Sequence, residues 1–166
     1  MRTAALLNFC ASIGSTQLSI WIQDHGESFV PAVQVIHILS ISAILISTLM
    51  INARILGFGF SDRPLNLVIK RFSPAIYLAL TCLLLTGVAM IVGEPARSLA
   101  NIAFQVKMLF LLSALLIFFI FKKTANQDPQ YWEKSHQRQF FAKLLALTSI
   151  VLWIGIVFAG RWIAYL

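Results

Sequence analysis

From Val30 to Ala53 the sequence carries no formal charge. A hydrocarbon core needs ~20 consecutive helical residues to cross, because lipid offers no hydrogen bonds to an open backbone. Three more stretches meet the same requirement, so the spans fall at about residues 32–57, 74–92, 102–121 and 144–163. Pro74 opens the second span, where a proline suits a first helical turn. A single Lys107 interrupts the third, and the fourth is uncharged until Arg161. Leu, Ile, Ala and Phe dominate all four, and each reads as a helix.

Composition agrees with these stretches. Of 166 residues, 59% are apolar and 11% charged, against the roughly 25% charge that clothes a soluble domain. A soluble enzyme, a disordered chain and a disulfide-stapled secreted domain are excluded. The net charge of +7, from 13 Lys and Arg against 6 acids, fits the positive-inside bias of membrane proteins and needs no nucleic acid. Cys82 lies in an apolar run and Cys10 in a more polar segment, with no spacing that suggests zinc. The fold class is therefore all-α, an integral membrane four-helix bundle forming one domain over residues 1–166.

The N-terminal stretch differs. Residues 4–22 are apolar but include Asn8, Ser12, Ser15, Thr16, Gln17 and Ser19. That polarity favours an interfacial helix within residues 1–30, anchored by Trp21, over a fifth span. It lacks the basic start and small-residue cleavage site of a signal peptide. The links between spans one and two and between spans three and four hold most of the Lys and Arg, so that side is expected to be cytoplasmic. Both termini then face the periplasm of a bacterial inner membrane. Tyr131 and Trp132, in the longer basic link, are expected to rest on headgroups.

Polar residues within the spans are few. At 1.5 Å rise per residue, His37, Lys107 and Arg161 come from three helices to one level in the outer third of the membrane. Snorkelling and ordinary packing explain each of them singly. Together they require an anion, either Asp24, Glu27 or Glu94 folded onto them or a bound ligand. His37, the one that titrates near neutrality, would hydrogen-bond or ligate the bound group, with Lys107 and Arg161 supplying charge and Tyr165 at the rim. His37, Ser40, Ser47 and Arg54 share one helical face that should turn inward, although small-residue packing explains the serines equally well. Thr81, Thr86, Gly87, Gly155 and Gly160 read as close-packing positions.

Several chemistries have no footing. No acidic residue lies inside a span, so a carboxylate proton relay is absent. There is no broken-helix repeat of the transporter type, and no hydrolytic or nucleotide-binding motif. One intramembrane His does not support a bis-histidine haem. A b-type haem on His37 remains open, with Met90, Met108 or no sixth ligand.

Three elements carry a resemblance: His37-Ile-Leu-Ser followed by Asn52-Ala-Arg54-Ile-Leu-Gly57-Phe, then Phe104-Gln-Val-Lys107, then Trp153 with Gly160-Arg161-Trp-Ile-Ala-Tyr165. Together they resemble a bacterial membrane family known only as a domain of unknown function. Its first span ends in an Asp-Leu-Arg-x-Leu-Gly element, so this chain departs at Asn52, which removes the carboxylate from any Arg54 pair within that element. The resemblance implies no activity, but His37, Arg54, Lys107, Trp153, Arg161 and Tyr165 match its motif positions.

Three function classes follow. The first is a non-catalytic accessory or anchoring subunit of a membrane complex, or a homo-oligomer. It would hold an anionic, quinone-like or lipid headgroup ligand at His37, Lys107, Arg161 and Tyr165, with Ser40, Arg54 and Trp153 as supporting residues. The second is a redox subunit with haem b on His37. A solute channel is third, since the polar residues do not line a continuous path. Lipids and other membrane subunits are the expected partners, nucleic acid is not, and catalysis by the chain alone is not expected.

Overall fold

The structure, a computed structural model, describes residues 4–60 and 62–162, all in helices, turns and short links. The helices are α1 (Ala4–Gly14), α2 (Gln17–Asp24), α3 (Gly26–Leu56), α4 (Leu65–Gly93), α5 (Pro95–Leu99), α6 (Ile102–Gln127) and α7 (His136–Trp162). Four of them, α3, α4, α6 and α7, are long and apolar enough to cross a membrane. The all-α expectation of four membrane-length helices therefore holds.

The surface is what lipid requires. Leu78, Leu84, Leu85 and Val151 are each about two-thirds exposed, while Ala79, Ala114, Ala125, Ala142 and Ala146 are buried. Large side chains outside and small ones inside let helices approach closely, and contact rather than expulsion of water holds them together. The helices α3 and α4 form one antiparallel hairpin and α6 and α7 the other, joined mainly by α3 against α7. Ile44, Ala79, Ala114, Trp153 and Ile156 meet at mid-bundle. A second cluster around Ile51, Ile69, Ile76, Phe118 and Phe121 fills the half nearer the two hairpin loops.

Helix ends depart from the spans read from hydropathy, for one physical reason. Apolar runs mark where lipid is, whereas a helix satisfies its own backbone and continues into the headgroups at no cost. Accordingly α4 starts at Leu65, behind Pro64, and not at Pro74. Pro74 lies inside the helix, where its ring removes one backbone donor, and the neighbouring Ser73 hydroxyl bonds Ile69 O at 2.7 Å. Lys70 and Arg71, read as loop residues, are exposed helical residues, as are Lys123, Arg138 and Lys143. The α6–α7 link shrinks to residues 128–135.

Capping fixes several ends. Gly57 adopts φ 89°, with Phe58 N bonded to Ala53 O and Gly57 N to Arg54 O, a pattern that closes α3 and favours glycine. The side chain of Asn101 accepts from Ala103 N at 2.9 Å and starts α6.

The N-terminal stretch is two helices and not the single one expected, with 73° between α1 and α2. Thr16 breaks it by capping α2 through its side-chain oxygen. The first packs mainly on α5 and the second on the adjoining ends of α4 and α3. Ser19 is fully buried and donates to Val92 O at 2.7 Å, and Ile22 lies so close to Gly93 that a Cβ there would meet it at 2.9 Å.

Trp132 has a partner within the protein. It folds back onto α6, donating to Thr124 Oγ1 at 2.7 Å with its ring edge-on to Phe121. Its N–H is met by protein and does not need a headgroup.

Candidate functional site

The two ends of the bundle carry different polar machinery. At the hairpin-loop end, Arg54 donates to Glu133 at 2.8 Å and to Arg63 O at 2.5 Å, so one side chain ties the α3–α4 loop to the α6–α7 loop. Asn52 is 3% exposed and donates to Ser149 Oγ at 3.3 Å, joining α3 to α7. A void of about 10 Å³ beside them is lined by Thr48, Asn52, Ser149 and apolar neighbours, room for one water at most. Arg54, Asp62, Arg63, Pro129 and Glu133 are among the residues lining an open cleft of about 460 Å³. Lys134 hydrogen-bonds the half-buried Asp128 and holds its carboxyl below the ordinary range.

The opposite end holds His37 and Lys107. His37 on α3 points its Nδ1 at Thr86 Oγ1 of α4, 2.8 Å away. Thr86 is buried and donates its own proton to Cys82 O at 2.6 Å. Gly87 leaves room for the ring, since a Cβ there would meet His37 Cε1 at 3.8 Å. From the second hairpin, Lys107 runs its stem across Gly160. A Cβ on Gly160 would lie 3.7 Å from Nζ and 3.8 Å from Cε. His37 precedes Ile44 and Lys107 precedes Ala114 by seven residues each, and Ile44 and Ala114 share one buried layer, so the two hairpins present these groups at one level.

No acid among the described residues pairs with them. Among the described residues the ion pairs are Arg54–Glu133, Arg97–Glu94 and Lys134–Asp128. Glu94 is thus engaged with Arg97, and neither Asp24 nor Glu27 reaches Lys107. Arg161 follows Gly160 directly but is exposed, so the expected three-way cluster narrows to His37 and Lys107. Tyr165 lies outside the described residues. Ser40 is buried one turn below His37 and bonds Ile36 O at 2.7 Å. Trp153 is 1% exposed at mid-bundle, with no partner for its Nε1 among the described residues. Arg54 stands at the far end, about 25 Å from His37 by helical rise. The inward stripe on α3 holds, with Ser40 and Ser47 buried and His37 and Arg54 half-buried. Thr81 does not pack closely, being exposed and bonded to its own helix at Tyr77 O.

Two residues acquire a sharper place than sequence gave them. Thr86 was legible only as a packing position, yet it orients His37. The hairpin geometry could have found it, because His37 precedes Asp62 by nearly as many residues as Thr86 follows it. Gly160 is the slot for the Lys107 stem. Met108, a possible haem partner, is 38% exposed, whereas Met90 is half-buried one turn from Thr86. Among the described residues no three His, Cys, Asp or Glu side chains gather to hold a metal.

Fold and site together define a helical membrane protein of four long apolar helices with a His and a Lys at one level near one end. The chain belongs to a family of unknown function (DUF6644), whose profile matches residues 9–166. No curated protein and no solved structure matches it.

Proposed function

We propose that this chain is a non-catalytic subunit of a bacterial inner-membrane assembly, or a homo-oligomer. In this reading it binds the headgroup of an anionic or quinone-like ligand between His37 and Lys107. The observation that carries it is the Lys107 ammonium, brought into the bundle with no acid among the described residues to meet it. A cation in that setting is costly and marks a functional position by default. An oxygen-rich headgroup arriving laterally from the bilayer would supply the missing acceptor. The basic hairpin loops support a cytoplasmic position for that end, with both termini and the ligand site on the periplasmic side.

The test is retention. Purified in mild detergent, the protein should carry one class of lipid or quinone in near-stoichiometric amount, found by solvent extraction and mass spectrometry. Lys107→Leu should lose it, whereas Lys70→Leu, at the other end, should keep it. Equal retention by both variants would remove the ligand from Lys107. A C-terminal reporter accessible only from the cytoplasm would reverse the orientation.

A second reading has one observation in its favour. A metal-ligating His commonly has its other ring nitrogen held by a hydrogen bond, as Thr86 holds Nδ1 here. A b-type haem on His37 would give the purified protein a Soret band that His37→Ala abolishes.

A further inference from the structure

The Thr86 hydroxyl has one proton, and the 2.6 Å contact assigns it to Cys82 O, the usual partner of a helical threonine four residues on. Leu83 O, 3.3 Å away, is the other carbonyl in range. What faces His37 across 2.8 Å is then a Thr86 lone pair, and Nδ1 must carry the hydrogen. The hydrogen-bond network therefore leaves Nε2 bare, since a doubly protonated ring would be a second cation at the level of Lys107 with no acid among the described residues to balance it. We infer that the site is built for a hydroxyl-bearing ring, a quinol, whose O–H donates to His37 Nε2 while its oxygen takes a hydrogen bond from Lys107.

This rests on the proposal that the ligand sits between those two residues, and it adds that the reduced, protonated form is the one recognised. The oxidised quinone has only acceptors and can satisfy Lys107 but not His37. A fully ionised phosphate fails at His37 for the same reason. In the bound quinol one acid–base step is available. The O–H bond breaks, the proton forms an N–H bond at Nε2, and the electron pair left on oxygen is held by the ammonium. Thr86 is the positioning residue for that step, because it sets which nitrogen is free.

Two measurements on the full-length protein in detergent test this. The ¹⁵N spectrum of labelled histidine, with His37→Gln used to identify the His37 signals, should show protonated Nδ1 and bare Nε2. Thr86→Val should release a mixture of tautomers and Thr86→Ser should restore the single one. A wild-type spectrum dominated by the Nε2–H form overturns the assignment. Binding is then compared for a short-chain benzoquinol, the corresponding benzoquinone and phosphatidic acid in mixed micelles. Wild type should prefer the quinol about tenfold over the quinone. Thr86→Val should erase that preference with less than about threefold change in quinone binding. Phosphatidic acid bound in a Lys107-dependent way, with neither quinol nor quinone bound, overturns this inference and leaves the headgroup site standing. No Lys107-dependent binding of any probe overturns both. A Soret band dependent on His37 gives Nε2 to iron and overturns the quinol.

Discussion

If Lys107 is held in place for a ligand and not for the fold, removing its charge should make the ligand-free protein more stable. Lys107 lies five residues beyond Ile102, the first residue of α6, so it is about 7–8 Å along the helix at 1.5 Å per residue. Placing Lys at mid-membrane costs about 2.5–3.5 kcal/mol on the insertion scale, whereas Leu contributes about 0.3–0.6 kcal/mol favourably. The cost shrinks towards the interface, so Lys107→Leu should stabilise the delipidated protein by about 1–3 kcal/mol, a shift of about 5–150-fold in the folding equilibrium. Gly160 gives the new side chain room, because even a Cβ added there would stay 3.7 Å or more from the lysine side chain. Reversible unfolding by sodium dodecyl sulfate in mixed micelles, followed by circular dichroism, reads the difference. Adding the retained ligand should reverse the order, because wild type at 100 times its Kd gains about 2.7 kcal/mol. A delipidated Lys107→Leu protein less stable than wild type by ~1 kcal/mol or more would refute the reasoning, since it would mean that the ammonium has a structural partner of real strength.

The remaining predictions concern the fold around the site. Arg54 is 17% exposed and bonds two loops, so a double-mutant cycle of Arg54→Met with Glu133→Gln should give a coupling near the upper end of surface pairs, about 1 kcal/mol, by equilibrium unfolding. Asp128, whose pKa Lys134 depresses, adds stability that is present above the unfolded aspartate value of about 3.9 and is lost as pH falls through the lower native one. Melting followed from pH 5 to pH 2 should therefore decline less steeply in Asp128→Asn. Gly155→Ala places a Cβ 2.7 Å from the Phe110 ring and should destabilise by about 1–3 kcal/mol as overpacking, whereas Gly160→Ala, with its neighbours at ordinary contact distance, should change stability by less than about 0.5 kcal/mol in thermal melts.

The four membrane-length helices were legible because the solvent imposes them: only an unbroken apolar helix satisfies its backbone in lipid. Helix ends were not, because hydropathy changes where lipid ends, while the helices run on through Lys123 and Arg138. The bend at Thr16 is a local capping choice that a moderately apolar segment does not announce. Within the site, His37 and Lys107 stood out as rare intramembrane polar residues, and depth counting along two helices brought them to one level. Counting along one helix gives height but not azimuth, so it could not see that Arg161, one residue after Gly160, turns to the exposed side. Thr86 was hidden for the opposite reason, since a threonine inside a span is common and only its pairing across the hairpin gives it a task.

The mid-bundle cluster has a consequence for how the two ends communicate. Ile44 is fully buried against Ala79, Ala114, Trp153 and Ile156, and this layer separates Ser40 from Ser47 by about 10 Å of helical rise. Trp153 places an N–H donor there but no acceptor, so a hydrogen-bonded relay from His37 towards Asn52 is interrupted at that height. Among the described residues, this layer offers no hydrogen-bonded path between the two ends. Apolar side chains thus divide the polar groups of one end from those of the other, which makes the layer a septum within the bundle.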